Sequence, residues 1–477
     1  MEGTISCALA ELTIGTPSAA IPAECVADAR KFVLDCGATA LAAYDEPGVR
    51  PVLDMIREWG GNEQATCMYY GDRLPLPGVV LLNGTMIHAL DYDDVHIPGA
   101  LHITASVVPV ALAIAEHRDL TGRATLDAIV LGIEVGARLS TAHRDRRTHL
   151  GFLQASIVGG FGAVAAAARL MGLGVEETVH AFGIYYAQTC GNRQALYDTA
   201  LTKRIQPAFA GKGAIIAAQL AARGFTGAIR VFEGQAGLYR IFGCAGEPPT
   251  VAELGGDRPD WQIQATAVKR YPSCGAAHPG SHMALEMVQT SDLDAEDVQS
   301  AEIFLPPESM ELVGFPFRLG DSPQVNAQFS AAYAIAAAFT ARRVSIHEYS
   351  DAAVTANTAA RTFMDRVIVR PLAEWHGETP DAEKTQVLRV TLRDGQVLER
   401  SMTLGVDIIT PASVSYRDVQ DKFFECAAYS GIMDEARARQ TVAAVDRFED
   451  VSNVREFARE WFVQRREASG VSTSRRR

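Results

Sequence analysis

The sequence predicts a mostly α protein, with a large all-α domain built from both chain ends and an α+β domain inserted between them. Three observations lead there. Ala, Leu, Ile and Val recur at helical spacing from Pro22 to Phe232; a stretch rich in Gly, Pro and Asp, Gly246 to Trp261, interrupts that pattern and is followed by β-branched, partly alternating runs; and helical spacing returns from Ser415 to Arg465. The expected boundaries are 1–265 for the first part of the all-α domain, 266–404 for the α+β domain, 405–465 for helices that rejoin the first part, and 466–477 for a disordered tail.

Pro22 to Trp59 reads as two helices separated by a loop around Asp45 to Gly48. Helices follow at Gly78 to Leu90, Thr104 to Glu116, Thr125 to Ser140, Ala155 to Met171, Val175 to Thr189, Pro207 to Arg223 and Gly227 to Phe232, all rich in Ala and punctuated by Gly or Pro. Leu150 to Ala168 carries no charge over 19 residues, enough to test as a membrane span, but its Gln154, Ser156 and four glycines predict a closely packed buried helix. Strands are expected at Val298 to Phe304, Arg366 to Arg370, Gln386 to Leu392 and Val397 to Thr403, with Asp394-Gly395 as a hairpin signal between the last two. Two helices, Gly280 to Thr290 and Val325 to Ala341, lie among them.

Composition narrows the function classes. With 48% hydrophobic and 21% charged residues the chain can bury a large core. A net charge of −13 argues against binding to nucleic acid or an anionic membrane, which needs a clustered Lys/Arg surface, but leaves room for an anionic substrate held by a few local cations. The 8 cysteines form no CxxC pair, and the N-terminus lacks a basic region followed by an apolar run, so a cytoplasmic protein without a signal peptide is expected.

Chemistry concentrates in Asn83 to Pro109, where His88, Asp91, Asp93, Asp94, His96 and His102 stand among apolar residues. Charges in such surroundings must be paired, solvated or used. Asp-x-Asp-Asp-x-His suits a hard cation as well as an acid–base site, and an isolated Asp there serves equally as a helix cap. Lys203-Arg204 before Pro207 and Lys269-Arg270 at the entry to the second domain are basic pairs at element boundaries. Cys274 has no basic partner at a diagnostic spacing and reads as packing. Gly211-Lys212-Gly213 lacks the spacing of a phosphate loop, and Gly159-Gly160-Phe161-Gly162 follows no strand, so its glycines serve helix packing; GxSxG and HExxH are absent.

Five stretches, NGTMIHALDYDDVH with the following His102, TKRIQPAFAGKGAIIAAQLAARGFTG, VKRYPSCGAAHP, AQFSAAYAIAAAF and DKFFECAAYSG, occur in an order and spacing that resembles the MmgE/PrpD family. That family includes 2-methylcitrate dehydratase, cis-aconitate decarboxylase and iminodisuccinate epimerase. The resemblance implies that the inserted domain is a lid, that the protein is a homodimer, and that a small di- or tricarboxylate reacts without metal or organic cofactor. It implies catalytic roles for Asp91, His102, Lys203 and Lys269, with His96, Arg204, Arg270 and His278 expected to bind substrate. The expected reaction is dehydration begun by removing a proton next to a carboxylate, with epimerisation, decarboxylation or carboxylate binding without turnover as alternatives.

The chain departs from the family pattern at Val95 (usually Thr), Ile103 (usually Pro), Leu153 (usually His) and Gln206 (often His). His149, Tyr186 and Tyr197 lie near the lost histidines in sequence.

Overall fold

The computed structural model describes residues 1–145, 151–254, 260–378 and 381–463; the expected tail at 466–477 and His149 lie outside them. The fold is mostly α. Helices α1 (Ala23–Ala42), α2 (Leu76–His88), α3 (Thr104–His117), α4 (Gly122–Arg144), α5 (Gly159–Met171), α6 (Val175–Tyr186) and α7 (Thr202–Ala221) pack on one another, with α7 lying across α2 and α5. Small residues let them approach. A Cβ on Gly132 of α4 would stand 2.8 Å from the Gly162 carbonyl oxygen of α5, so both must be glycine for the helices to touch there. The apolar segment Gln154–Met171 is 89% buried against these neighbours.

Two expected helices are interrupted. Ala155 to Met171 divides into Gln154–Ile157 and α5, and Val325 to Ala341 into Pro323–Gln328 and α9 (Ala331–Ala341), where Ser330 caps α9 by accepting from Tyr333 N. Gly227 to Phe232 is not helical: it is irregular chain that bends at Ile229 and turns at Val231–Phe232, and it lies so close to α6 that a Cβ on Gly227 would stand 2.6 Å from Ile184 N. Helix α7 begins before Pro207, which stands inside it as its sixth residue and cannot donate to the Lys203 carbonyl.

A short antiparallel ladder joins β1 (Val95–His96) to β2 (Thr266–Ala267), with Val95 opposite Ala267. Beyond it, helix α8 (His278–Ser291) and α9 pack beside a sheet ordered β4-β3-β5-β6, formed by β3 (Val298–Leu305), β4 (Val367–Pro371), β5 (Thr385–Leu392) and β6 (Val397–Thr403). β4 runs parallel to β3, and β5 is antiparallel to both β3 and β6. The β5–β6 hairpin closes at Leu392–Gln396 and turns through Gly395 at φ +90°, a conformation that favours glycine. Helix α10 (Tyr416–Ser430) returns to pack on α1. Buried apolar side chains form two large clusters. One draws on residues between Ile5 and Val268 together with Ile346 and Val414 to Phe462; the other draws mainly on Ala267 to Ile409.

Candidate active site

Helix α2 ends at His88, and three residues later Asp91 takes φ +50°, a left-handed conformation that Asp tolerates better than most residues. The β1–β2 ladder begins four residues further on and fixes Lys269, two residues beyond β2, against this turn. Lys269 Nζ donates to Asp91 Oδ2 at 2.8 Å and to the Asp91 carbonyl at 2.8 Å. Lys203, in the first turn of α7, donates to Asp91 Oδ1. One buried carboxylate therefore carries a lysine on each oxygen. Burial pushes the Asp91 carboxyl up, but Lys203 and then Lys269 outweigh it and hold the group well below the usual carboxylate range. Lys269 shows the converse: burial lowers its pKa, yet Asp91 and Asp93 raise it above the ordinary lysine value, so it stays charged.

His102 stands beside this pair. Its Nδ1 lies 2.6 Å from the Asp94 carbonyl oxygen, which can only accept, so Nδ1 carries the hydrogen and Nε2 holds a lone pair. Burial, then the nearby Lys269 charge, lowers its pKa to about 3 against the pull of Asp93 and Asp91, which leaves a neutral imidazole at physiological pH. Asp93 lies between His88 Nδ1 at 2.7 Å and His102 Nδ1 at 3.9 Å. Burial pushes its carboxyl up, and the two histidines bring it below the ordinary value. The Asp94 carboxylate serves the helix start, accepting from Ile103 N at 3.2 Å, Thr104 N at 3.0 Å and Thr104 Oγ1 at 2.5 Å. His88, Asp93 and His102 offer donor atoms within 4.8 Å of one another, the spacing a metal ion needs. Both Nδ1 atoms are engaged, which leaves each Nε2 as the available ligand atom, and the Lys269 charge near Asp93 and His102 opposes entry of a cation.

A cavity of about 120 Å³ opens on this cluster. His102 and Lys203 line it, whereas Asp91 and Lys269 are buried behind Lys203. Four basic side chains (Arg144, Arg193, Lys203 and Lys384) face two acidic ones (Glu308 and Glu383), and Arg144 is already paired with Glu308 at 2.9 Å. The wall is thus locally cationic in a protein of net charge −13.

The other four expected residues are not brought to the cavity. Arg204 follows Lys203 on a helix, about 100° further round, and donates instead to the Pro47 carbonyl at 2.8 Å and to Gln324. Arg270 follows Lys269 in extended chain, emerges on the surface and donates to the Ser413 carbonyl at 2.6 Å. His96 Nδ1 accepts from Gly99 N at 3.1 Å and braces the loop leading to His102. His278 Nε2 lies 3.1 Å from the Tyr271 carbonyl, under the Tyr271 ring. Their placement fits support better than substrate contact.

Sequence reasoning passed over Arg144, Arg193, Gln154, Ser309 and Lys384, which line the cavity from loops and helix ends that no motif marks. Leu153, at the position of a family histidine, contributes an apolar side chain to the same wall. Gln206 does not line it; the amide accepts from Asn192 N at 2.9 Å and donates to Asn192 O at 3.1 Å, holding the turn that carries Arg193. Tyr186 donates to the Ala236 carbonyl and Tyr197 is half exposed against Phe315, so neither replaces the missing groups. The Cys274 thiol reaches the cavity but is pushed up by burial and by Asp91.

Residues 8–250 match the MmgE/PrpD N-terminal domain and residues 271–448 the MmgE/PrpD C-terminal domain. The chain is 28% identical over 303 residues to a cis-aconitate decarboxylase-like protein of Aspergillus oryzae, covering 60% of this chain and 62% of that one. It is 32% identical over 219 residues to human cis-aconitate decarboxylase (44% and 43% of the two chains) and 25% identical over 440 residues to the mouse enzyme (89% and 86%). The matches thus span less than two thirds of the first two relatives and most of the third. With both halves of the family model matched in order, the chain belongs to the MmgE/PrpD family.

Proposed function

We propose that this protein is a cofactor-independent lyase acting on a small di- or tricarboxylate through a carbanion formed next to a carboxylate. The observation that carries this reading is the neutral His102, its Nδ1–H fixed on the Asp94 carbonyl, facing a cationic cavity beside the Lys203–Asp91–Lys269 cluster. A carboxylate-stabilised carbanion needs a proton carrier and positive charge where negative charge develops. His102 Nε2 supplies the first, and Lys203 with Arg193 the second.

Decarboxylation is the favoured reaction. The electron pair of the breaking C–CO₂ bond passes into an adjacent double bond, and the resulting carbanion takes a proton from a solvent water hydrogen-bonded to His102 Nε2, the hydroxide left behind returning to solvent. That demands one proton carrier, whereas dehydration also demands an acid for the departing hydroxyl, and the wall offers Leu153 where the family pattern has histidine. The names of the similar proteins point the same way. Dehydration is the second reading, because Glu308 and Glu383 also line the cavity. In this scheme the second hydrophobic cluster acts as a lid, and the working form is a cytoplasmic homodimer.

The test is incubation in D₂O with a panel of cis-aconitate, 2-hydroxytricarboxylates and iminodisuccinate. CO₂ release with deuterium in the product supports decarboxylation; alkene formation from a hydroxy acid supports dehydration. Deuterium uptake without either marks an epimerase, and carboxylate-induced thermal stabilisation without any turnover overturns the enzymatic reading.

A further inference from the structure

Lys422, on α10, is buried. Its ammonium makes an ion-pair contact with Asp35 Oδ1 of α1 at 2.6 Å, and Asp35 is fully buried. The same nitrogen donates to the Tyr92 carbonyl at 2.6 Å and to the Lys269 carbonyl at 3.4 Å, and lies 3.6 Å from the centroid of the Tyr92 ring. Tyr92 in turn donates from its hydroxyl to the Arg270 carbonyl at 3.2 Å. Four separated segments, around residues 35, 92, 269 and 422, therefore meet on one ammonium.

A buried ion pair adds little net stability, since desolvating two charges consumes most of their attraction. The contacts that Lys422 makes beyond Asp35 are specific, however: they fall on the backbone of the residue after Asp91 and on the backbone of Lys269 itself. Asp91 and Lys269 belong to stretches held side by side by the two-residue β1–β2 ladder and the Tyr92–Arg270 hydrogen bond, and Lys422 adds a tie to the backbone of each. We propose that Lys422 is a positioning residue: anchored on Asp35, it clamps the Tyr92 and Lys269 carbonyls and so sets the Lys269 ammonium on Asp91. This rests on the reading of Asp91 and Lys269 as site residues given above. Lys422 does not line the cavity and touches no reacting atom; it acts through the pair.

Lys422→Met alone would strand the Asp35 charge and risk unfolding, so the informative variant is Asp35→Asn with Lys422→Met, which removes both charges at nearly constant volume. With the parent's substrate, kcat is expected to fall about 100-fold, the loss that a displacement of roughly 1 Å brings, with KM little changed. The alkaline limb of the pH profile should move to lower pH, because a Lys269 loosened from Asp91 loses the interaction that raises its pKa. A readout that needs no substrate accompanies these: labelling with acetic anhydride followed by peptide mass spectrometry. Lys269 should be protected in the parent and acetylated several-fold faster in the double variant, while Lys212, on the far part of α7, stays unchanged. If the double variant does not fold, Asp35→Asn with Lys422→Gln replaces it under the same readings. A folded variant with parental Lys269 labelling, kcat and pH profile overturns the proposal. Should the parent turn over none of the panel, the labelling still decides the role of Lys422, so failure of the reaction assignment and failure of the clamp are told apart.

Discussion

Lys203 and Lys269 share one carboxylate, yet their replacement should have different consequences. Lys203 faces the cavity, whereas Lys269 is fully buried and directs two hydrogen bonds at Asp91. In Lys203→Met the Asp91 charge keeps Lys269, so the fold should hold, but the developing negative charge on substrate loses its nearest cation. At about 4 Å and an effective dielectric of about 20 that interaction is worth about 4 kcal/mol, which is a fall of about 10³-fold in kcat/KM. In Lys269→Met the Asp91 carbonyl and Oδ2 both lose their donor inside the protein, and breaking such a buried contact costs about 3–5 kcal/mol of stability. Steady-state kinetics on the substrate found in the D₂O panel, together with chemical denaturation of both variants, reads the contrast. Near-parental kcat/KM in Lys203→Met, or equal destabilisation by the two substitutions, would refute this division of labour.

Three further outcomes are expected. Because burial and Lys269 depress the His102 pKa to about 3, its base form is present throughout the range above that value, and kcat/KM should show no acid limb near the ordinary histidine value of about 6.5; a limb there that disappears in His102→Asn counts against His102 as the neutral base. Exhaustive chelation should leave turnover unchanged, and a loss reversed by adding a divalent ion would instead place a metal on His88, Asp93 and His102. Gly132→Ala should cost about 1–3 kcal/mol through forced separation of α4 and α5, measured by urea denaturation, because its Cβ would stand 2.8 Å from both the Gly162 carbonyl and Val107 Cγ1.

Periodicity made most helices and all four strands of the larger sheet legible, since spacing reports which face is buried. It could not show the breaks before Gly159 and at Ser330, because a helix and a kinked pair of helices bury the same residues. For the site, titratable groups stranded among apolar residues drew attention to the six between His88 and His102, and the family resemblance narrowed them to Asp91 and His102 and added Lys203 and Lys269. Their neighbours Arg204 and Arg270 share the charge and the motif, but one residue of helix or extended chain turns each side chain off the cavity wall, which charge and motif alone do not show. Arg193 was invisible for the opposite reason. Its turn is held to the cavity wall by the Gln206–Asn192 amide exchange and by the Arg193 N–H donating to the Gly151 carbonyl, contacts between segments that no local pattern encodes.

The buried acids and their cations also tie distant parts of the chain together. Asp35 and Asp91 lie early in the chain, while Lys203, Lys269 and Lys422 are supplied later and from separate elements. Burial raises the pKa of the Asp35 carboxyl and Lys422 opposes that shift. Docking of α10 on α1 is therefore linked to the charge on Asp35: a carboxyl enclosed without Lys422 favours its protonated form, and the arriving ammonium favours the ionised one.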